Sequence, residues 1–225
     1  MISFSQYIRQ VFQNHADPKL AEPMQAYMKH LFTFYGLKSP LRRSLMKQTM
    51  SLYPNDFLLN INDIARDLYK DHHRELHYVA IECVDKAQKY WNIHTIELLE
   101  YMIVTHSWWD SVDCIAPLIG IYFQKFPEQR MAYLTKWMTS QNMWLQRICI
   151  LHQKRYKAQT DEQLLFTLCI QLKESKEFFI RKAIGWALRE YSYVQPHAVI
   201  SFVHSHEFSG LTKREALKHM KSDII

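Results

Sequence analysis

Ser107-Trp108-Trp109-Asp110-Ser111-Val112-Asp113 decides how this chain is read. Two of the six tryptophans and two carboxylates stand together there, after a polar, turn-like Thr105-His106. Ser107 followed three residues later by Asp110 has the spacing of a capping box, in which serine oxygen and carboxylate each accept from an orphan backbone N–H. On this reading Ser107 starts a helix and Asp110 is spent on the cap. Trp109 and Asp113, four apart, then share one helix face. A ring face beside a carboxylate attracts a cation, the ring through its quadrupole and the carboxylate through its charge. The plainer account makes both tryptophans core residues and Asp113 a second-turn residue favoured by the helix dipole.

Outward from this stretch the pattern recurs. Trp109, Trp144 and Phe179 stand at intervals of 35, each near the start of a long apolar-periodic segment and after a polar turn. Three positions on, the same register reads Val112, Arg147 and Lys182. A period of that length is about one helical hairpin of the HEAT kind, somewhat short for that class. Helical periodicity runs through residues 4–12, 18–34, 41–52, 57–69, 75–90, 95–104, 108–126 and 127–138. It continues through 144–156, 164–172, 178–191, 196–204 and 212–220. Pro117 falls inside one of these segments and is a candidate kink. Thr160 to Gln163 is read as a second capping box. No convincing alternating strand occurs. The expectation is an all-α, HEAT-like helical-repeat solenoid with a concave basic face, in one domain over residues 1–225. Trp109, Asp113, Arg147, Lys182 and Trp186 can then meet on one surface.

Composition narrows the function. A chain of 225 residues that is 48% hydrophobic and 14% aromatic is not disordered. Its four glycines are too dispersed for any glycine-rich phosphate cradle. Cys83, Cys114, Cys149 and Cys169 form no C-x-x-C and sit in apolar contexts, which reads as reduced core thiols in the cytoplasm. No signal peptide or membrane span is visible. Of the net charge of +6, residues 1–140 hold +1 and residues 141–225 hold +5. That asymmetry suggests a basic surface for a polyanion. His73-Arg-Glu-Leu-His77 spaces two histidines by four, but its glutamate is one position late for a zinc-protease motif, so no metal is expected. No nucleophilic serine or cysteine triad is identifiable.

Ser107 to Asp113, Trp144-Leu-Gln-Arg147 and the run Glu177 to Tyr191 resemble the AlkD-type DNA alkylation repair enzymes. His30 to Gly36, Pro40 to Arg43 and Lys213 to His219 extend the likeness over essentially the whole chain. The resemblance implies a monomeric HEAT-like-repeat glycosylase, without cofactor, that excises cationic alkylpurines such as N3-methyladenine and N7-methylguanine from duplex DNA. It implies a catalytic aspartate at Asp113, flanking tryptophans at Trp109 and Trp186, and a backbone-binding arginine at Arg147. Tyr27 is a DNA contact by the same resemblance. Lys38 departs from the neutral polar residue expected there. Relatives with a degraded DNA-binding face exist, so a non-catalytic DNA- or protein-binding module is the alternative.

Residue chemistry suits the implied reaction. A cationic base departs neutral, so positive charge developing on the sugar is what needs stabilising, and a carboxylate does that in glycoside hydrolysis. Arg147 has the planar fork that fits a phosphate. Lys154, Arg155 and Lys157, Lys182, and Lys213 with Arg214 are candidate DNA-binding cations, and a solvated face by default. Trp186 and Gly185 equally fit a core residue and a close helix contact.

Overall fold

The computed structural model describes residues 2–54 and 60–220. Among them the protein is all-α, with thirteen α-helices and two short 3-10 turns. The helices are α1 Phe4–Asn14, α2 Pro18–Tyr27, α3 Ser39–Leu52, α4 Ile61–Tyr69 and α5 Arg74–Lys86. They continue as α6 Thr95–Val104, α7 Trp109–Lys125, α8 Pro127–Met138 and α9 Met143–Leu151. The last four are α10 Glu162–Gln171, α11 Phe178–Ser192, α12 Pro196–His204 and α13 Gly210–Ala216. The start expected at Phe57 lies outside the described residues. No helix among the described residues is long and apolar enough to cross a membrane.

The chain divides into two compact units, Met1–Leu98 and Leu99–Ile225. In the first, α1 packs on α3 and α4, and α4 on α5. Its centre is a turn held by a buried carboxylate: Glu75 accepts from the backbone N–H groups of Tyr35, Gly36 and Leu37 at 2.9–3.1 Å. Gly36 sits at φ +90°, and a Cβ there would meet the Asp17 carbonyl oxygen at 2.1 Å. The two spaced histidines are absorbed into this unit's structure. His77 meets Arg74 at 3.0 Å and the Asp71 carbonyl oxygen at 2.8 Å, while His73 stacks on Tyr35 and pairs with Asp71.

In the second unit α7, α9, α11 and α13 pack each on the next, and α8, α10 and α12 lie against that row. Gly185 sets the closest approach: a Cβ on it would meet the Glu215 Cβ at 2.5 Å and the Thr212 carbonyl oxygen at 2.9 Å. The close-packing reading of Gly185 is therefore right.

Several local expectations are corrected. The helix expected over 18–34 ends at Tyr27, because Lys29 and His30 both adopt φ 55°. The segment 75–90 stops at Lys86 and resumes as a 3-10 turn, and 144–156 stops at Leu151 before a turn with Lys157 at φ 53°. The last helix begins at Gly210 rather than Thr212, because Ser209 caps it, and ends at Ala216. Ser107 is not an N-cap. Its hydroxyl donates to the Ile103 carbonyl oxygen at 2.6 Å, finishing α6, and α7 starts after Trp108. Asp161, not Thr160, caps α10 by accepting from the Leu164 N–H. At the two expected capping boxes, a hydroxyl bonded back to the preceding helix and a neighbouring carboxylate took the cap. Pro117 leaves α7 unbroken. Cys83, Cys149 and Cys169 are buried, but Cys114 is exposed.

Replacing Gly185 by alanine should cost about 1–3 kcal/mol, the usual range for overpacking a tight contact. A urea melt of the two proteins checks this, and an unchanged midpoint would show that α13 yields freely.

Candidate functional site

A cavity of about 430 Å³ in the second unit is lined by Trp109, Asp113, Arg147, Phe178, Phe179, Lys182, Trp186, Arg189 and Glu215. Residues from α7, α9, α11 and α13 meet there, so the packed row brings together side chains more than a hundred positions apart.

A register one residue off the expected one builds the site. Trp144 and Phe179 do pack, with ring centroids 5.1 Å apart, but the α7 residue that completes the cluster is Trp108. Trp108 lies 5.8 Å from Trp144 and 5.2 Å from Phe179. The three rings anchor the starts of α7, α9 and α11. Trp109 is thereby left to turn into the cavity, half-buried, with Asp113 one helical turn beyond it. Pro117 has no N–H to give the carbonyl four residues back, which is that of Asp113.

Asp113 does not stand alone. Arg147 grips it with both arms of its guanidinium, Nε to Oδ1 at 2.8 Å and Nη2 to Oδ2 at 2.9 Å. A third donor, Nη1, goes to the carbonyl oxygen of Phe179. The Arg147 side chain is 4% exposed and that of Asp113 15%. Arg147 is thus neither an exposed helix residue nor a free phosphate fork. It ties α7 to α9 and α11, and a phosphate reaching it competes with a bidentate carboxylate.

Around this pair lies a second charged set. Glu215 accepts from Lys182 at 2.9 Å and from Arg189 at 3.0 Å. The hydrogen bond from Lys182 is the main reason that the Glu215 carboxyl stays below its ordinary range. The half-buried Trp186, which also lines the cavity, donates from its indole N–H to Glu190 at 2.9 Å. Trp186 is therefore a wall of the cavity and not a core residue. The ammonium of Lys154 sits 3.7 Å from the Trp186 ring centroid.

The remaining candidates divide. Arg155 and Lys157 are exposed and line a second cavity of about 530 Å³ together with Lys154 and Glu190. Lys213 is half-buried and Arg214 exposed, both on α13 and outside the lining of either cavity. Tyr27, at the end of α2, belongs to the first unit and is 69% exposed. Sequence reasoning missed Arg189, Glu190 and Glu215. The signals were present in part: Glu190 is four beyond its partner Trp186, and Arg189 is seven beyond Lys182, two turns along the same helix face.

The geometry offers a carboxylate of fixed orientation, two indole faces and cationic side chains around one open space. That set can hold a cationic ring against a polyanionic strand.

Known proteins supply an independent comparison. The family described as DNA alkylation repair enzyme matches residues 8–220. A solved structure titled a predicted DNA alkylation repair enzyme from Enterococcus faecalis is 29% identical. It superposes with a TM-score of 0.83 over 92% of this chain and 97% of its own. No curated protein matches the chain.

Removing one member of the buried pair should be costly. Arg147→Met should lose about 3–5 kcal/mol, since it strands Asp113, whereas Asp113→Asn should lose less. Combining the two should recover part of the Arg147→Met loss, as measured by urea melts of all four proteins. Strict additivity would mean that the pair is not coupled in solution.

Proposed function

The chain belongs to the DNA alkylation repair enzyme family, and on that premise we propose that it is a glycosylase for cationic alkylated purines in duplex DNA. The observation carrying this reading is the Asp113 carboxylate, held by Arg147 in a cavity that Trp109 and Trp186 also line.

An N3- or N7-alkylated purine bears a positive charge and departs as a neutral base, so protonating the leaving group is unnecessary. As the glycosidic bond lengthens, positive charge moves onto the sugar. A carboxylate beside C1′ lowers the energy of that charge and can orient the attacking water. Trp109 and Trp186 present ring faces to the cation at roughly 0.5–2 kcal/mol each. Arg147 acts through Asp113: two hydrogen bonds fix the carboxylate's plane, so little reorganisation remains when charge develops. Backbone phosphates fall to the cations at the rim, Lys182 and Arg189 beside the cavity and Arg155, Lys157, Lys213 and Arg214 further out. The HEAT-like stacking of helices serves this chemistry by carrying such cations along one face.

A second reading, a DNA-binding module without turnover, draws on the same ion pair, because Arg147 offsets the charge of Asp113. The two readings separate in one assay. Under single-turnover conditions, duplex DNA with one N7-methylguanine should lose that base, and Asp113→Asn should slow the release by about a hundredfold or more while the protein stays folded. Uracil should not be released. Tight binding without any release from the wild-type protein would establish the module; rapid uracil release would rule out a mechanism lacking leaving-group activation.

A further inference from the structure

The amine of Lys154 occupies an unusual place. It comes from the turn after α9, and its ammonium lies over the face of an indole, 3.7 Å from the Trp186 ring centroid. That separation is well inside the range of a direct cation–ring contact. Lys154 makes no ion pair among the described residues. The carboxylates of Asp113 and Glu190 nevertheless act on it from a distance, favouring its charge, while burial and the Arg155 guanidinium oppose it. Burial is the larger effect and holds the ammonium below the ordinary lysine range. The neighbouring Arg155 and Lys157 project into solvent. Lys154 therefore does not behave as a member of a solvated basic strip.

Its surroundings define a seat for one positive charge. The Trp186 face forms the floor, and the ring is oriented by its hydrogen bond to Glu190 at 2.9 Å. Trp186 lines the 430 Å³ cavity, while Lys154 and Glu190 line the 530 Å³ cavity. Two residues in direct contact thus belong to the linings of different cavities. A lysine leaving the ring has room in the larger cavity, and Glu190 there to receive it.

We propose that Lys154 fills the Trp186 cation seat in the free protein and acts as a specificity residue, yielding the ring only to a ligand that brings its own positive charge. Exchanging one cation for another leaves the ring and its carboxylates satisfied. A neutral base offers no such exchange, so it must either displace a favourable contact without replacing it or stay out. The inference rests on the glycosylase reading for its substrate class, and on the Lys154–Trp186 geometry for the seat itself.

The test uses a nucleoside, so that phosphate contacts along a duplex do not enter. 7-Methylguanosine, in mildly acidic buffer where it is cationic, and guanosine are titrated against wild-type protein, Lys154→Met and Lys154→Arg. Methionine keeps much of the stem and removes the competitor, so Lys154→Met should bind 7-methylguanosine about 2- to 30-fold more tightly than wild type. Lys154→Arg keeps a cation on the ring and should stay within about twofold of wild type. Guanosine affinity should not change in any of them. Equal or weaker binding of 7-methylguanosine by Lys154→Met, no measurable binding by it, or an equal gain for guanosine would overturn the proposal. Acetylation of Lys154 in the unaltered protein, followed by mass spectrometry, guards against a misfolded variant. Labelling should rise with 7-methylguanosine and not with guanosine, and a response to neither would also overturn it. Base release from duplex DNA by the wild type is read separately. No release combined with a gain in Lys154→Met retains the seat and removes the glycosylase; release without that gain removes the seat alone.

Discussion

The second unit depends on one buried ion pair. A guanidinium that is 4% exposed has left water almost completely, and only a carboxylate with matching geometry makes that tolerable. Asp113 supplies two oxygens and the Phe179 carbonyl a third, so three helices are pinned at a single side chain. The same bonds that make Arg147 affordable to the fold also fix the plane of the carboxylate facing the cavity. The Asp113 carboxylate therefore serves both the packing of the helices and the candidate chemistry.

Aromatic packing and charge divide the labour around that pair. The Trp108, Trp144 and Phe179 rings set helix starts against one another through surface burial and edge-to-face contacts. The charged groups then settle into positions that the rings have already defined. Trp109 and Trp186 stand outside that cluster and line the cavity. Trp108 and Trp109 look alike in the sequence, where an aromatic near a helix start reads as core. What separates them is a single residue of register.

How much was legible follows from the range of each interaction. All-α architecture showed in the sequence because periodicity and the scarcity of glycine are local properties. Asp113, Trp109 and Trp186 were legible as candidates, the first two by spacing on one face and the third through resemblance. The partner of Arg147 was not. Thirty-four residues separate it from Asp113, and nothing in either neighbourhood says that their helices pack side by side. Lys154 on Trp186 was hidden for the same reason. Helix caps failed at shorter range, since Ser107 had a carbonyl of the preceding helix within reach and Asp161 stood next to the threonine expected to cap. Hydroxyl and carboxylate groups choose among several nearby backbone partners, and the pattern records only one of them.

Glu215 gives the last helix a role that its modest length conceals. It is the single acidic side chain that α13 contributes to the cavity, and it holds both Lys182 and Arg189. Through it, α13 acts as a counterweight: its closeness to α11, fixed at Gly185, sets how much positive potential the cavity presents. On the proposed glycosylase reading, an approaching phosphate would meet two cations already shared with a carboxylate, so the attraction is tempered. A protein that must test many undamaged sites benefits from such moderation, because a cavity with both cations free would hold any stretch of backbone it met.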